Sequence, residues 1–253
     1  MAKIVLAHGI LGFNTLPILG AGLYFNGVAR LYRSLGHEVL APNVAPLGNL
    51  DERSVQLASA IAAAWPGEDP FTIVAHSLGG LDARRVIARH PRVGRRVKSL
   101  ITISTPHFGS PVADAVLDLA HPLRPFVPSW IVQTLQLNKS VLQDLRTRTT
   151  LQDEVGDAVK CTEIACDCTG RGSSSPLFRL SSQIGKLPAH GNDGLVTVDS
   201  ASVPGRKPKL IWELDHGEAI GWPSAYLGLA AVWAAVSTPR DHLERYKQLL
   251  SFI

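Results

Sequence analysis

The chain has few cysteines, and their spacing does not suit a zinc site. Cys161, Cys166 and Cys168 form a Cys-x4-Cys-x-Cys pattern, without the paired Cys-x-x-Cys and histidines that tetrahedral zinc takes. Buried thiols are expected, with one disulfide among them only if the protein is exported. Long hydrophobic runs are missing too. The most apolar stretch, Ala225 to Val236, is shorter than the roughly 20 residues that cross a bilayer, so it reads as a buried helix and no transmembrane segment is expected. No repeat, low-complexity tract or Gly/Ser linker interrupts the 253 residues, which fits one domain, 1–253, carrying a cap. Charged residues are only 18% against 45% hydrophobic, a balance that excludes a disordered chain. Much of the net charge of +4 sits in Arg84, Arg85, Arg89, Arg92, Arg95, Arg96 and Lys98. With no aromatics interleaved to stack bases, this stretch reads as a solvated helix face and the loop after it, and no nucleic-acid partner is expected. The start, Met-Ala-Lys-Ile-Val-Leu-Ala-His-Gly, enters a strand directly and leaves no room for a secretory signal. A cytoplasmic protein is expected, or a secreted one whose leader has been removed.

What is present is an alternation of short apolar strands with segments of helical period, the pattern of an α/β fold whose mostly parallel sheet is covered on both faces. Strands are expected at Lys3 to Ala7, His37 to Ala41, Phe71 to Ala75, Ser99 to Ser104, Cys161 to Cys166 and Lys209 to Leu214, and helices at Phe25 to Leu35, Arg53 to Trp65 and Gly79 to His90. Residues 110–155 break the alternation. Apolar pieces at Val112 to Leu119, Phe126 to Leu137 and Val141 to Leu145, separated by Pro122, Pro125 and Pro128, predict short helices forming a cap or lid. There Leu117, Phe126, Trp130 and Leu135 would meet an acyl chain.

Phe71-Thr-Ile-Val-Ala-His-Ser-Leu-Gly-Gly-Leu has the form of a strand, a sharp turn and a helix, with Ser77 at the apex of a nucleophile elbow. Ala75 stands where the common Gly-x-Ser-x-Gly form has its first glycine. A serine hydroxyl needs a histidine to take its proton and a carboxylate to fix that histidine's tautomer, and in this class of fold they follow in the order serine, acid, histidine. Downstream lie His90, His107, His121, His190, His216 and His242. His216 is the candidate base because it follows a strand, in Leu210-Ile-Trp-Glu-Leu-Asp-His-Gly. His107, in Thr105-Pro-His-Phe-Gly-Ser, reads as support for its loop, and His242 as a surface residue. Asp193, in Gly191-Asn-Asp-Gly-Leu-Val, is the candidate acid, with Asp199 and Asp167 as competitors. Asp215, adjacent to His216, points away too sharply to orient it. A tetrahedral intermediate also needs preorganised amides. The Leu78 amide, just after the serine, and the Ile10 amide, in the turn His8-Gly-Ile-Leu-Gly-Phe, are the candidate oxyanion-hole donors.

These motifs, together with Tyr24-Phe-Asn-Gly-Val-Ala, Leu35-Gly-His-Glu-Val, Arg85-Val-Ile-Ala-Arg-His-Pro and Asn192-Asp-Gly-Leu-Val, resemble the true lipases of the Pseudomonas–Burkholderia–Proteus group, within the α/β-hydrolase fold. The resemblance runs through residues 3–115 and 190–218 and is weak over the cap. It implies a serine carboxylic-ester hydrolase acting on acylglycerols or other hydrophobic esters at a lipid–water interface, without a cofactor. It assigns the nucleophile to Ser77, the acid to Asp193, the base to His216 and the oxyanion amides to Ile10 and Leu78. A polyester depolymerase or an acyltransferase would use the same three residues, and a binding protein that kept the scaffold without turnover is the reading from another class. The group also carries a calcium site bracing the histidine loop, with a carboxylate two residues after the histidine and an amide side chain four further on. Here Glu218 fits the first position but Trp222 replaces the second, and no aspartate lies between Gly170 and Asn192. No bound metal is expected.

Overall fold

Side chains alternate across the first strand, β1 (Lys3–Ala7), with Ile4 and Leu6 buried on one face and Val5 and Ala7 on the other. A strand buried on both faces belongs inside a sheet that is covered twice. The computed structural model describes residues 1–10, 24–118, 120, 139–170, 191–203, 207–222 and 241–253. It contains a six-stranded sheet in the order β2-β1-β3-β4-β5-β6, where β2 is Glu38–Leu40, β3 Phe71–His76, β4 Val97–Ile103, β5 Lys160–Cys166 and β6 Leu210–Trp212. Every pairing is parallel, as expected. Phe126, Trp130 and Leu135, like His121, His190 and the apolar stretch from Ala225, lie outside the described residues.

On one face α2 (Leu50–Ala64) and α3 (Leu78–Arg89) pack Leu57, Ala58, Ile61, Ala83 and Val86 against Val5, Ile73, Ala75 and Leu100. The opposite face is covered by α1 (Val28–Ser34) and by α7 (His242–Gln248) with its 3₁₀ extension, through Val28, Tyr32, Tyr246 and Leu249. Asn49 caps α2, its side chain accepting from the Glu52 amide at 2.9 Å, and so the helix starts three residues before the expected Arg53. A short α4 (Pro91–Gly94) follows α3. Two of the short helices expected within residues 110–155 are present, α5 (Pro111–Leu117) and α6 (Lys139–Asp144), packed on Leu50, Leu78 and Leu81. Among the described residues no helix is long and apolar enough to cross a membrane, and all three cysteines are free thiols, with Cys166 and Cys168 buried.

The arginine-rich stretch is a solvated face only in part: Arg89, Arg92, Arg95 and Lys98 are exposed. Arg84, Arg85 and Arg96 are buried, because polar groups distant in sequence meet them. Arg85 donates to Asp51 at 2.9 Å and to Asp153 at 2.8 Å, while Arg96 lies over the Phe71 ring and donates to the Asp69 carbonyl. Charge spacing along one helix cannot reveal partners brought in by other segments. His242 is likewise not on the surface. It is buried, with Nε2 2.6 Å from the Asn26 carbonyl, and its ring packs against Gly221.

The crossing of α3 over β1 is close enough that a Cβ on Gly79 would overlap the carbonyl oxygens of Ala7 and His8. In an open helix, glycine to alanine gains up to about 1 kcal/mol. Here overpacking against backbone, typically about 1–3 kcal/mol, outweighs it. Gly79→Ala is therefore expected to lower the urea midpoint, and an unchanged or higher midpoint would show that the crossing relaxes.

Candidate active site

β3 ends at His76 and α3 begins at Leu78, leaving Ser77 alone to make the turn at φ 56° and ψ −132°. Two main-chain bonds fix it there: its amide donates to Ile103 of β4 at 2.9 Å, and its carbonyl accepts from Gly80 at 3.0 Å. The hydroxyl is thereby presented at the carboxyl end of the sheet, where loops gather.

Two of those loops bring the remaining predicted residues. His216 follows β6, and its Nε2 lies 2.9 Å from Ser77 Oγ while its Nδ1 lies 2.7 Å from Asp193 Oδ2. The Asp193 carboxylate can only accept, so Nδ1 carries the proton and Nε2 is left to accept from the hydroxyl. Asp193 is fully buried, and its other oxygen takes the amides of Leu195 at 2.9 Å and Val196 at 2.8 Å. A further bond, from the His216 amide to the Asp193 carbonyl at 3.0 Å, ties the loops to each other. Such an arrangement can take a proton from a serine oxygen and return it to a leaving group.

With both ring nitrogens of His216 occupied, the competing acids have other partners. Asp167, at the end of β5, accepts from the Asn192 amide and from both polar groups of Thr169. Asp215 Oδ1 accepts from the Gly217 and Glu218 amides, and Glu218 Oε2 accepts from the Asp215 amide in return. That reciprocal capping box starts the 3₁₀ turn Glu218–Ile220. It also engages the one carboxylate that matched a calcium-ligand position, and at the next position the Trp222 indole donates to the Tyr24 carbonyl at 3.0 Å. These residues do not fit a calcium site. Among the described residues no group of three or more His, Cys, Asp and Glu is arranged to hold a metal.

The loop after β1 carries Ile10 to the cleft beside Ser77 and His216. It is clamped from behind by Arg53, which is fully buried. Arg53 Nη2 donates to the His8 carbonyl at 2.7 Å, Nη1 to the Ala45 carbonyl at 2.7 Å, and Nε and Nη2 to Asp82 at 2.9 and 2.7 Å. Leu78, the other predicted amide, opens α3, where the first N–H groups have no partner within the helix. His8 Nε2 accepts from the Val44 amide at 3.1 Å, so its proton is on Nδ1, 2.9 Å from the Gly9 carbonyl. Burial, helped by the nearby Arg53, brings the His8 pKa down to about 4. His107, expected as support, does hold its loop. It is buried beside Thr102, its amide donates to the Ser200 carbonyl, and burial lowers its pKa to about 3.

A narrow cleft of about 70 Å³ reaches Ser77 and His216, walled mainly by Ile10, Val112, Ala113, Leu142, Leu145, Leu195 and Val196. Leu117 does not line it; on α5 it packs, half-buried, against the cluster beneath. Sequence reasoning missed Leu142 and Leu145 because they stand more than sixty residues from Ser77. Leu195 and Val196 carried a signal, since they directly follow the Asn-Asp-Gly turn.

Residues 51–149 match the PGAP1-like alpha/beta domain family. Over 210 residues, 79% of this chain and 62% of the relative, the sequence is 27% identical to Triacylglycerol lipase 2 of Saccharomyces cerevisiae. It is 34% identical over 116 residues to a triacylglycerol lipase of Vibrio cholerae, covering 45% of this chain and 35% of that one. The chain thus spans less than two thirds of the length of these relatives. Among solved structures, a metagenomic carboxyl esterase superposes with a TM-score of 0.67 at 19% identity, over 98% of this chain and 74% of that one. The chain has the α/β-hydrolase fold.

Buried neutral histidines make stability depend on pH. In the unfolded chain His8, His76 and His107 take up protons near 6.5, whereas in the folded state burial lowers all three, to about 4 and about 3 for His8 and His107. The folded state binds fewer protons in that window, so these groups stabilise it above about pH 6.5 and the contribution is lost as pH falls. Each costs up to about 1.4 kcal/mol per pH unit. The urea midpoint should drop between about pH 7 and about pH 5, and a flat profile would show that the folded protein accommodates the charges.

Proposed function

We propose that this chain is a serine carboxylic-ester hydrolase, a lipase or lipase-like esterase, working through an acyl-enzyme. The observation that carries the reading is the continuous line from Ser77 Oγ to His216 Nε2 at 2.9 Å and from His216 Nδ1 to Asp193 at 2.7 Å. Ser77 attacks the ester carbonyl carbon as His216 Nε2 takes its proton, and Asp193 holds the imidazole through Nδ1 and stabilises the imidazolium. The negative oxygen of the tetrahedral intermediate lies between the Ile10 and Leu78 amides. Its collapse expels the alcohol, which leaves with the proton from Nε2. Water then attacks the acyl-enzyme by the same route and releases the acid.

A hydrophobic ester as substrate is supported by the apolar wall of the cleft, to which Leu142 of α6, Leu145 just after it, Leu195 and Val196 contribute, and by the likeness to proteins named triacylglycerol lipase. The cap belongs to the same proposal, α5 and α6 forming the side of the cleft that meets the acyl chain. Membership of the Pseudomonas–Burkholderia–Proteus lipase group is the finer reading. Its motifs support it, and Ala75, the capping role of Glu218 and the indole of Trp222 depart from it.

Ser77→Ala removes one hydroxyl and should leave the fold intact while lowering turnover of a soluble nitrophenyl ester by roughly 10⁴-fold, because the three residues act as a unit. Fluorophosphonate labelling should be lost with it. A folded variant that keeps more than about a tenth of the activity would reject the nucleophile. Asp193→Asn and Asp199→Asn, measured side by side, separate the acid from its neighbour: the loss at 193 should be far larger, and equal losses would move the acid.

A further inference from the structure

Two polar side chains at the site have no part in proton transfer, yet they join its pieces. Tyr24 is buried in the turn before α1, and its hydroxyl lies 2.8 Å from His76 Nδ1. It also lies so close to the loop after β1 that a Cβ on Gly9 would come within 2.5 Å of it. Donation by the Tyr24 hydroxyl makes His76 Nδ1 the acceptor. The His76 proton is thereby placed on Nε2. That nitrogen is buried without a side-chain or main-chain partner at hydrogen-bond distance among the described residues. The His76 ring lies against the His216 ring, centroids 4.5 Å apart and planes inclined by 49°.

The Tyr24 main chain is held by the other loop. Its carbonyl accepts from Trp222 Nε1 at 3.0 Å, and two residues on, Asn26 takes the Ile220 carbonyl with its amide and the Gly221 carbonyl with its side chain, at 3.1 and 2.9 Å. One turn therefore touches the loop carrying Ile10, the elbow at His76 and the segment following His216.

We propose that Tyr24 and His76 are positioning residues that set the ring of His216 against Ser77 and hold the Gly9–Ile10 loop in register with it. The proposal rests on the hydrolase reading above. The hydroxyl fixes one His76 tautomer, and the neutral His76 ring gives His216 a surface to lie on that carries no like charge when His216 becomes an imidazolium. Burial and the neighbouring His216 both hold the His76 pKa well below the ordinary value, so the proton taken from Ser77 stays on His216. Tyr24→Phe would leave His76 Nδ1 without its partner and free the ring to turn, with little change in packing.

The test compares Tyr24→Phe, His76→Gln and His76→Leu with the parent on a soluble nitrophenyl ester. A misplacement of about an ångström can cost on the order of 100-fold in rate. Tyr24→Phe and His76→Leu should thus lose about 10- to 100-fold in kcat with KM within about twofold. His76→Gln should recover part of the loss, because an amide can accept from Tyr24 and donate towards His216. The proton resonance of His216 Nδ1 should shift in Tyr24→Phe, a change that a merely structural role would not produce. Folded variants with kcat within about twofold of the parent, or losses that follow the melting temperature with the His216 resonance unmoved, would overturn the proposal. A parent that neither hydrolyses the ester nor reacts with a fluorophosphonate would instead reject the hydrolase reading. The resonance comparison would still decide whether Tyr24 holds the ring.

Discussion

Ser77 is held at φ 56°, a region that a side-chain-bearing residue occupies at a cost of about 1–3 kcal/mol, and the surrounding chain is arranged to keep it there. The turn points the hydroxyl away from the sheet only if α3 folds back tightly over β1. That in turn leaves no space for a side chain at Gly79, next to the Ala7 and His8 carbonyls. The strands on either side supply the rest. Ile103 of β4 takes the Ser77 amide, and Ala75 pairs with Ala7 of β1 and Thr102 of β4. Ala75 is fully buried within the core under α2 and α3, so the methyl that distinguishes it from glycine is packed and does not disturb the turn.

Bringing helix, strand and loop so close buries main-chain carbonyls, and buried carbonyls need donors. Arg53 meets that need at the loop after β1, with Asp82 of α3 as its counter-ion. A buried ion pair of this kind seldom adds much net stability, but removing one partner leaves a charge in the interior and is severely destabilising. Its contribution is geometric, because the planar guanidinium reaches His8, Ala45 and Asp82 at once and so sets the distance between α2, α3 and the Ile10 loop. Burial has the opposite effect on the histidines. Burial favours the neutral forms of His8, His76 and His107, and His216 is the histidine at the cleft with its second nitrogen on a serine.

Much of this was legible in the sequence. Strand and helix identities followed from runs of apolar residues bounded by Gly, Pro and Asn, and the observed elements differ from expectation mainly at their ends, as at α2, whose Asn49 cap was overlooked. The turn at Ser77 was legible because its conformation is local and demands small residues at fixed offsets. The chain order of serine, acid and histidine, with a strand before Ser77 and before His216 and a Gly-Asn-Asp-Gly turn at the acid, narrowed the acid and base to a few residues.

What the sequence determined by itself, then, is whatever depends on neighbours along the chain: the parallel sheet, the elbow and the loops from which Asp193 and His216 arise. Tertiary structure decided everything that depends on partners from distant segments. Asp167 and Asp199 could not be set aside until both nitrogens of His216 were seen to be taken. Arg85 of α3 looked solvated until Asp51 and Asp153 came to meet it, and His242 looked exposed until Asn26 covered it. Glu218 resembled a metal ligand until it closed a cap on Asp215. In each case the side chain has one local identity and several partners it could take, and only folding, by bringing one partner within 3 Å in a low-dielectric interior, selects among them.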